Sequence, residues 1–409
     1  MMQRYTKKEL RILLCCFAVY TAAYISRTNL SPSLGAIAES FHLSGAAVGL
    51  LPTMFSLPYA VFQVVIGTFA DRITPRRFLF TGILGSALVN MFFSFSPAFE
   101  WLVVLWFING IFQAMIWTPI VRIFSTQLRD SVRDHAMFFI SLTLIAGYLC
   151  AWSLSGFLTS LVNWRVAFLV SGLTTMIIGV ISVFEMHDVS DHAPAQTKKT
   201  TDSVQSNRTP VSHLFLHTNL IFLLITCLCN GYVRDSIMNW AAKLMMDTQG
   251  LDLNSTVGIV LIIPAVNFIG IQLGRTVYYR TSSNVYKASF ILFAASLLFS
   301  MILSVTFRLG PVVCIILLAL ISAMAYGLNP LLTSLMPLKF IHADRIALTA
   351  GLMDAMIYAG SALSGTFAGH LSDQYGWSAV FISWILFCAV GCICTLIASS
   401  LKNKGGISS

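Results

Sequence analysis

Two arginines lie inside runs of apolar residues, where a guanidinium group could bind an anion. Arg27 follows the run ILLCCFAVYTAAYIS, and Arg234 lies within LIFLLITCLCNGYVRDSIMNW. An arginine inside a membrane span costs about 2.5 to 17 kcal/mol. Arginine stays charged at physiological pH, and its planar fork binds oxyanions through two bonds. Tyr24 and Tyr232 precede the two arginines at short spacing and are further candidates for the site.

Two acids accompany these arginines within apolar runs. Asp235 directly follows Arg234, and Asp354 lies in GLMDAMIYAG. Acids inside a membrane often relay protons, so both are candidates for proton coupling. Neighbouring helical residues point about 100° apart, and we therefore expect Asp235 to be poorly placed to neutralise Arg234. Simple ion pairing of either acid with an arginine remains the alternative.

The composition places these residues in a membrane protein. Hydrophobic residues make up 57% of the 409 residues and charged residues 10%, whereas soluble domains carry about 25% charged residues. Apolar runs near the length of about 20 residues that spans a bilayer predict twelve helices, at 12–36, 46–69, 78–96, 100–122, 136–160, 165–187, 214–242, 254–276, 286–306, 311–337, 346–371 and 376–399. The predicted fold class is therefore an all-α integral membrane protein.

A polar stretch divides the predicted helices into six plus six. Residues 188–213 are rich in Pro, Ser and Thr and read as a linker between bundles at 1–187 and 214–409. Most Lys and Arg fall in every second loop, which predicts that both termini are cytoplasmic and accounts for the net charge of +9 without nucleic acid. No cleavage site is apparent, so the first span is expected to be retained.

The loop GTFADRITPRRFL resembles the one that joins the second and third helices of the major facilitator superfamily. The resemblance implies twelve helices in two pseudo-symmetric bundles, with a substrate site between them at the membrane midplane. It also implies a cytoplasmic gate that consists of Gly67, Asp71, Arg72, Arg76 and Arg77. The second half carries only a partial copy, GRTVYYRTSSNVYK, with Tyr278 at the acidic position.

The segment WFINGIFQAMIWTPIVRIFS resembles the fourth helix of one branch, the organophosphate:phosphate antiporters. The matching residues are Asn109, Gly110, Phe112, Gln113, Met115, Trp117, Pro119 and Arg122. That branch also carries arginines in its first and seventh helices, which implies that Arg27 and Arg234 bind the substrate's anionic group. The other residues that the resemblance places around this site are Tyr24, Gln63, Trp117, Tyr232, Asn239 and Tyr358.

Three departures from the branch bear on the substrate. Thr28, Gln63 and Leu144 stand where the phosphate antiporters have lysine, lysine and, within a residue or so, histidine. A dianionic phosphate ester needs more positive charge than two arginines supply. A carboxylate, a sulfonate or a monoanionic phosphodiester needs less positive charge, so we expect an organic anion and not specifically a phosphate ester.

The predicted function is secondary active transport of a small organic anion across a bacterial inner membrane, by proton symport or anion exchange. A phosphate-binding loop for ATP hydrolysis and the nucleophile, zinc and dinucleotide motifs of enzymes do not occur in the sequence. The nine cysteines lack metal-site spacing, so we expect no metal. We also expect no enzyme activity and no cofactor, and a monomer in the lipid bilayer. Two alternatives stay open: a sensor of the same family that transports little, and a drug efflux pump.

Overall fold

The structure is a computed structural model that describes residues 5–69, 74–187, 219–336 and 346–404. All regular elements in these ranges are helices, without strands. Apart from a 3₁₀-helix at Phe307–Leu309 and a π-helix at Leu331–Leu335, they are α-helices. In chain order they are α1 (Lys7–Thr28), α2 (Leu30–Ser40), α3 (Gly45–Val48), α4 (Leu50–Phe69), α5 (Pro75–Ser94), α6 (Phe99–Ala114), α7 (Trp117–Gln127), α8 (Asp130–Ser141), α9 (Thr143–Leu161), α10 (Trp164–Glu185), α11 (Leu220–Gln249), α12 (Leu253–Val260), α13 (Ile262–Arg280), α14 (Val285–Thr306), α15 (Pro311–Pro330), α16 (Ile346–Tyr375) and α17 (Trp377–Lys404).

Eleven helical stretches within the described ranges are long and apolar enough to cross a membrane. Each coincides with one of the predicted spans, and the prediction of an all-α integral membrane protein is confirmed. The remaining prediction, 346–371, coincides with α16, which has 30 residues and so extends for about 45 Å. The bilayer core is about 30 Å thick.

Four spans are interrupted at the third residue before a proline. Proline lacks an N–H group, and its ring clashes with the carbonyl four residues earlier, so a helix bends or breaks there. The interruptions and their prolines are Asn29 with Pro32, Gly49 with Pro52, Ile116 with Pro119 and Leu261 with Pro264. Pro58 inside α4 causes no such interruption, and the one at Leu142 has no proline after it.

Contacts along the chain divide it into two compact units. The first comprises residues 1–41 and 61–205, and the second comprises residues 42–60 and 206–409. α3 and the first half of α4 therefore belong to the second unit, although they precede most of the first in sequence. The bundle boundaries at 1–187 and 214–409 remain a prediction, and the linker at 188–213 falls outside the described residues.

In the first unit, α1 packs against α9 and α10, and α5 packs against α6 and α10. An ion pair fixes the start of α1 to the segment between α7 and α8. Glu9 is 5% exposed. Its carboxylate accepts hydrogen bonds of 2.8 Å from both Nε and Nη2 of Arg129. Glu9 also forms a capping box with Thr6 at the helix N-terminus.

In the second unit, α11 packs against α15, α16 and α17. Glycines allow close approach of α16 to residues 45–56, because a Cβ at Gly49 would lie 2.3 Å from the carbonyl oxygen of Gly365. At the end of this contact, the carboxylate of Asp373 accepts hydrogen bonds from the main-chain N–H groups of Gly45 (2.8 Å) and Ala46 (2.7 Å). α16 ends at Gly376, whose φ of +76° favours glycine.

Candidate functional site

A buried hydrogen-bond network in the first unit surrounds the interruption between α1 and α2. We call it the Ser26 network, and its members are Ser26, Asn29, Ser86, Asn90, Asn109 and Gln113, each at most 3% exposed. The main-chain carbonyl of Ser26 accepts from the amides of Asn90 (2.8 Å) and Asn109 (3.0 Å). Its hydroxyl accepts from Nε2 of Gln113 at 3.0 Å. These bonds connect α1 with α5 and α6.

The network fixes the backbone on both sides of Arg27. Asn29 donates from its amide to Asn90 at 2.9 Å, and Ser26 is held by the bonds described above. Arg27 itself is half-buried and lies in the last turn of α1, where the helix dipole favours a cation. Its guanidinium carbon is 4.1 Å from the centre of the Tyr24 ring, a cation–π distance.

Aromatic rings extend from Arg27 across the first unit. Tyr24 contacts the ring of Tyr20 at 5.3 Å and that of Tyr148 at 5.6 Å. Tyr20 in turn stacks on Trp117 at 5.1 Å. The structure thus links the predicted residues Tyr24 and Trp117 through Tyr20, which we did not predict. Its position four residues before Tyr24, on the same helical face, was the available signal.

In the second unit, Arg234 lies halfway along α11 and is 9% exposed. Asp235 accepts from its Nε at 2.7 Å and from its Nη2 at 2.8 Å. Nη1 donates to the side-chain oxygen of Asn329 on α15 at 2.8 Å. We call these three residues, with Tyr326 and Tyr358, the Arg234 cluster.

The expectation that Asp235 is poorly placed to neutralise Arg234 was wrong. The directions of adjacent Cβ atoms do diverge by about 100° on a helix. The arginine side chain is long enough to curve around the helix, however, and its planar fork then meets the short aspartate side chain edge-on. The side chains of Arg234 and Asp235 are 11% and 13% exposed, so this is a largely buried ion pair.

Three tyrosines accompany Arg234. Its guanidinium carbon is 5.8 Å from the ring centre of Tyr326 and 5.9 Å from that of Tyr358. Tyr59 from α4 contacts the Tyr358 ring at 4.2 Å. Tyr358 was predicted, whereas Tyr59, Tyr326 and Asn329 were not. A polar residue inside the apolar run YGLNPLL was the one sequence signal for Asn329.

Tyr232, which we predicted to line the site, faces away from Arg234. It is fully buried, its hydroxyl forms a 2.7 Å hydrogen bond with Ser383, and its ring stacks 3.9 Å from Phe387. Residues two apart on a helix point about 200° apart, which explains why proximity in sequence misled the prediction. Tyr232 attaches α11 to α17.

Three further candidates are half-buried. Gln63 lies in α4 and belongs to the first unit, whereas Asn239 in α11 and Asp354 in α16 belong to the second. Asn239 follows Asp235 by one helical turn, so the two residues share a face of α11. Asp354 precedes Tyr358 by one turn of α16, on the face that carries that tyrosine.

The predicted gate residues are only partly described. Gly67 lies in the last turns of α4, and Asp71 and Arg72 fall outside the described residues. Arg76 donates to the main-chain carbonyls of Val183 (3.1 Å) and His187 (3.3 Å) at the end of α10. Arg77 is exposed. Among the described side chains, no three of His, Cys, Asp or Glu are grouped to hold a metal ion.

The helical spans and the loop motif after α4 define a class of membrane transporter fold. The chain belongs to the Major Facilitator Superfamily, which matches its residues 16–347. A solved structure with the same fold is a bacterial homolog of the human lysosomal transporter Spinster, in an inward-facing and occupied conformation. Its TM-score is 0.81 at 16% identity, with 99% of this chain and 100% of that chain covered.

Relatives of similar length support the resemblance to the organophosphate:phosphate antiporter-like branch. A probable hexose phosphate transport protein of Chlamydia pneumoniae is 22% identical, over 95% of this chain and 90% of that protein. The membrane sensor protein UhpC of Escherichia coli (strain K12) is 22% identical, over 93% and 89%. The probable sulfoacetate transporter SauU of Cupriavidus necator is 24% identical, over 92% and 90%.

Proposed function

We propose that this protein is a secondary active transporter that moves a small organic anion across the membrane by alternating access. The observation that carries the proposal is the pairing of Arg234 with a carboxylate inside a membrane-crossing helix. Halfway along a membrane-crossing helix, its Nε and Nη2 atoms bind an oxyanion, the carboxylate of Asp235, at 2.7 and 2.8 Å. A guanidinium that binds one oxyanion in this geometry is suited to bind another.

Arg27 is the second proposed anion ligand. It lies within a span of 34 residues, and the Ser26 network holds the backbone on both sides of it. Tyr24, Trp117 and Tyr358 are proposed to shape the rest of the site, together with Gln63 and Asn239. The gate formed by Gly67, Asp71, Arg72, Arg76 and Arg77 also remains part of the proposal.

Two relatives support an organic anion as substrate. One is named for hexose phosphate and the other for sulfoacetate, and both compounds present an oxyanion. Because Asp235 already offsets the charge of Arg234, the site is suited to a group with a single negative charge, such as a sulfonate, a carboxylate or a phosphodiester. The driving force is proton symport or anion exchange.

Counterflow in proteoliposomes tests the proposal. Labelled sulfoacetate, glucose 6-phosphate, glycerol 3-phosphate and lactate are offered to the purified protein. We expect Arg27→Lys and Arg234→Lys each to abolish counterflow of the accepted anion, because lysine lacks the planar fork. Arg280→Lys, at an exposed arginine at the end of α13, is the matched control and is expected to retain counterflow. Undiminished counterflow by either of the first two variants contradicts the proposal.

The second candidate function is that of a sensor, which the likeness to UhpC favours. A sensor binds the anion without transporting it. Binding of an anion in detergent, lost in Arg234→Lys, combined with no counterflow of that anion by the wild-type protein, would assign the chain to this function.

A further inference from the structure

Asp235 and Arg234 form an ion pair in which the acid takes the place that an anionic substrate needs. The carboxylate covers the Nε–Nη2 edge of the guanidinium, and the side-chain oxygen of Asn329 accepts a hydrogen bond from Nη1. The Asp235 carboxylate therefore occupies Arg234 as the anionic group of a substrate would. This inference rests on the proposed function, in which Arg234 binds the anion.

We propose that the substrate's anionic group replaces Asp235 on Arg234 and that Asp235 takes up one proton as it is displaced. Before the exchange, the guanidinium carries +1 and Asp235 carries −1. Afterwards the guanidinium is paired with the anion, and the Asp235 carboxyl is neutral because it has taken up a proton from the aqueous phase on that side of the membrane. A monoanion and a proton then cross together without net charge, and release reverses both steps.

The proton follows from the burial of the pair. Both side chains are at most 13% exposed. Removing one partner of a buried ion pair leaves an uncompensated charge, which is strongly unfavourable. A displaced Asp235 avoids this cost if it is protonated. Anion binding on the other edge of Arg234, between Nη1 and Nη2, would put two negative charges on one guanidinium, and their repulsion at low dielectric disfavours it.

The surroundings of the pair contain few other titratable groups in the part of the chain that the structure describes. α15 contributes Tyr326 with the neutral Asn329, and α16 contributes Tyr358, which Tyr59 of α4 contacts. Asp354 lies one turn before Tyr358. Farther along α11, Lys243 is paired with Asp247 at 2.5 Å. Asp235 is therefore the acid in direct contact with Arg234, and Asp354 is its rival as the proton acceptor.

The test measures the affinity of the full-length protein for methanesulfonate, a monoanion whose charge is constant between pH 5 and 8, by thermal stabilisation. For the wild type, we expect affinity to rise up to tenfold for each unit by which pH falls, because one proton is bound per anion. Asp235→Asn should bind methanesulfonate at least tenfold more tightly at pH 8, without dependence on pH. Asp247→Asn, the same change at another paired acid of α11, should behave as the wild type.

Several outcomes overturn the inference. Asp235→Asn binding methanesulfonate no more tightly than the wild type shows that Asp235 does not compete for Arg234. A pH dependence that survives in Asp235→Asn but is lost in Asp354→Asn assigns the proton to Asp354. If Asp235→Asn does not fold, the wild type alone still tests the inference, because an affinity for methanesulfonate that is independent of pH refutes it. Methanesulfonate binding that survives in Arg234→Gln refutes the proposed function. If Arg234→Gln loses binding but Asp235→Asn binds methanesulfonate as the wild type does, only the exchange with Asp235 is refuted.

Discussion

The side-chain amide of Asn109 on α6 donates a 3.0 Å hydrogen bond to the main-chain carbonyl of Ser26 on α1, one residue before Arg27. Asn109 and Gln113 belong to the segment by which the sequence resembles a transporter branch. Both are buried in the Ser26 network. Their part in the site is therefore indirect, since they hold the helix that carries the proposed anion ligand.

Asn109→Leu should lower stability and anion affinity together. The change removes the donor to the Ser26 carbonyl and the acceptor of the Ser86 hydroxyl, which is 2.6 Å away. The Ser26 carbonyl keeps its bond from Asn90, so the expected cost is that of lost hydrogen bonds, about 0.5 to 1.5 kcal/mol each. Thermal unfolding and methanesulfonate titration measure both effects. Asn254→Leu, at an exposed asparagine of α12, is the control, and equal behaviour of the two variants would refute the role given to Asn109.

Asn329→Asp should abolish anion binding and transport. Nη1 of Arg234 donates to the Asn329 oxygen at 2.8 Å, and a second carboxylate there would offset the arginine's charge twice. Asn329→Ser keeps an acceptor of smaller size, and we expect it to retain part of the affinity. Titration of methanesulfonate measures the loss, and an Asn329→Asp variant with wild-type affinity would speak against a role for Arg234 in binding.

Tyr232→Phe should reduce stability and leave anion affinity unchanged. Its hydroxyl bonds Ser383 rather than a group of the Arg234 cluster, and loss of one interhelical hydrogen bond in a membrane protein costs about 0.6 to 2 kcal/mol. Tyr358→Phe is the comparison, because that ring faces Arg234. A tenfold loss of affinity in Tyr232→Phe would show that Tyr232 reaches the substrate after all.

Gly365→Ala should destabilise the contact between residues 45–56 and α16. A Cβ there would lie 2.5 Å from the Gly49 carbonyl oxygen and 2.5 Å from the Thr53 hydroxyl. Overpacking of this kind costs about 1 to 3 kcal/mol, which a thermal unfolding scan detects. Gly351→Ala on the same helix meets open space and should be neutral or stabilising, because alanine favours helix. The opposite order would contradict the packing described here.

Glu9→Gln should loosen the start of α1. The Glu9 carboxylate raises the pKa of Arg129 through their side-chain hydrogen bonds, and the same carboxylate bonds the main-chain N–H of Thr6 at 2.8 Å. We expect a lower unfolding temperature and faster hydrogen exchange in the first turns of α1. Glu100→Gln, at an exposed glutamate in the first turn of α6, is the control, and a similar response there would refute a specific role for Glu9.

The spans and the two arginines were predictable because both follow from local sequence. Long runs of apolar residues indicate membrane-spanning helices. An arginine within such a run is easily noticed, because placing its charge in a membrane costs free energy. The Ser26 network was not predictable from the sequence alone, since its bonds join α1, α5 and α6 across as many as 87 positions. Asn329 reaches Arg234 from 95 positions away for the same reason.

The errors at Asp235 and Tyr232 have different origins. Helical geometry gives the direction of a Cβ atom, whereas the position of a charged group also depends on the length of its side chain. Arg234 reaches a neighbour that a short residue would miss. Tyr232 was judged by its closeness to Arg234 in sequence, whereas the direction of its Cβ carries the ring to Phe387 of α17.

The prolines that interrupt four spans have a mechanical consequence. The carbonyls of Thr28, Val48, Met115 and Val260 each lie four residues before a proline and cannot receive a main-chain bond from it. Bending stiffness is lowered where a hydrogen bond of the helix is missing, so each of these four positions is a joint at which its span can flex. In the first span the joint follows Arg27 by one or two residues, and the arm that carries residues 30–40 can therefore swing while the arginine's own turn stays in place.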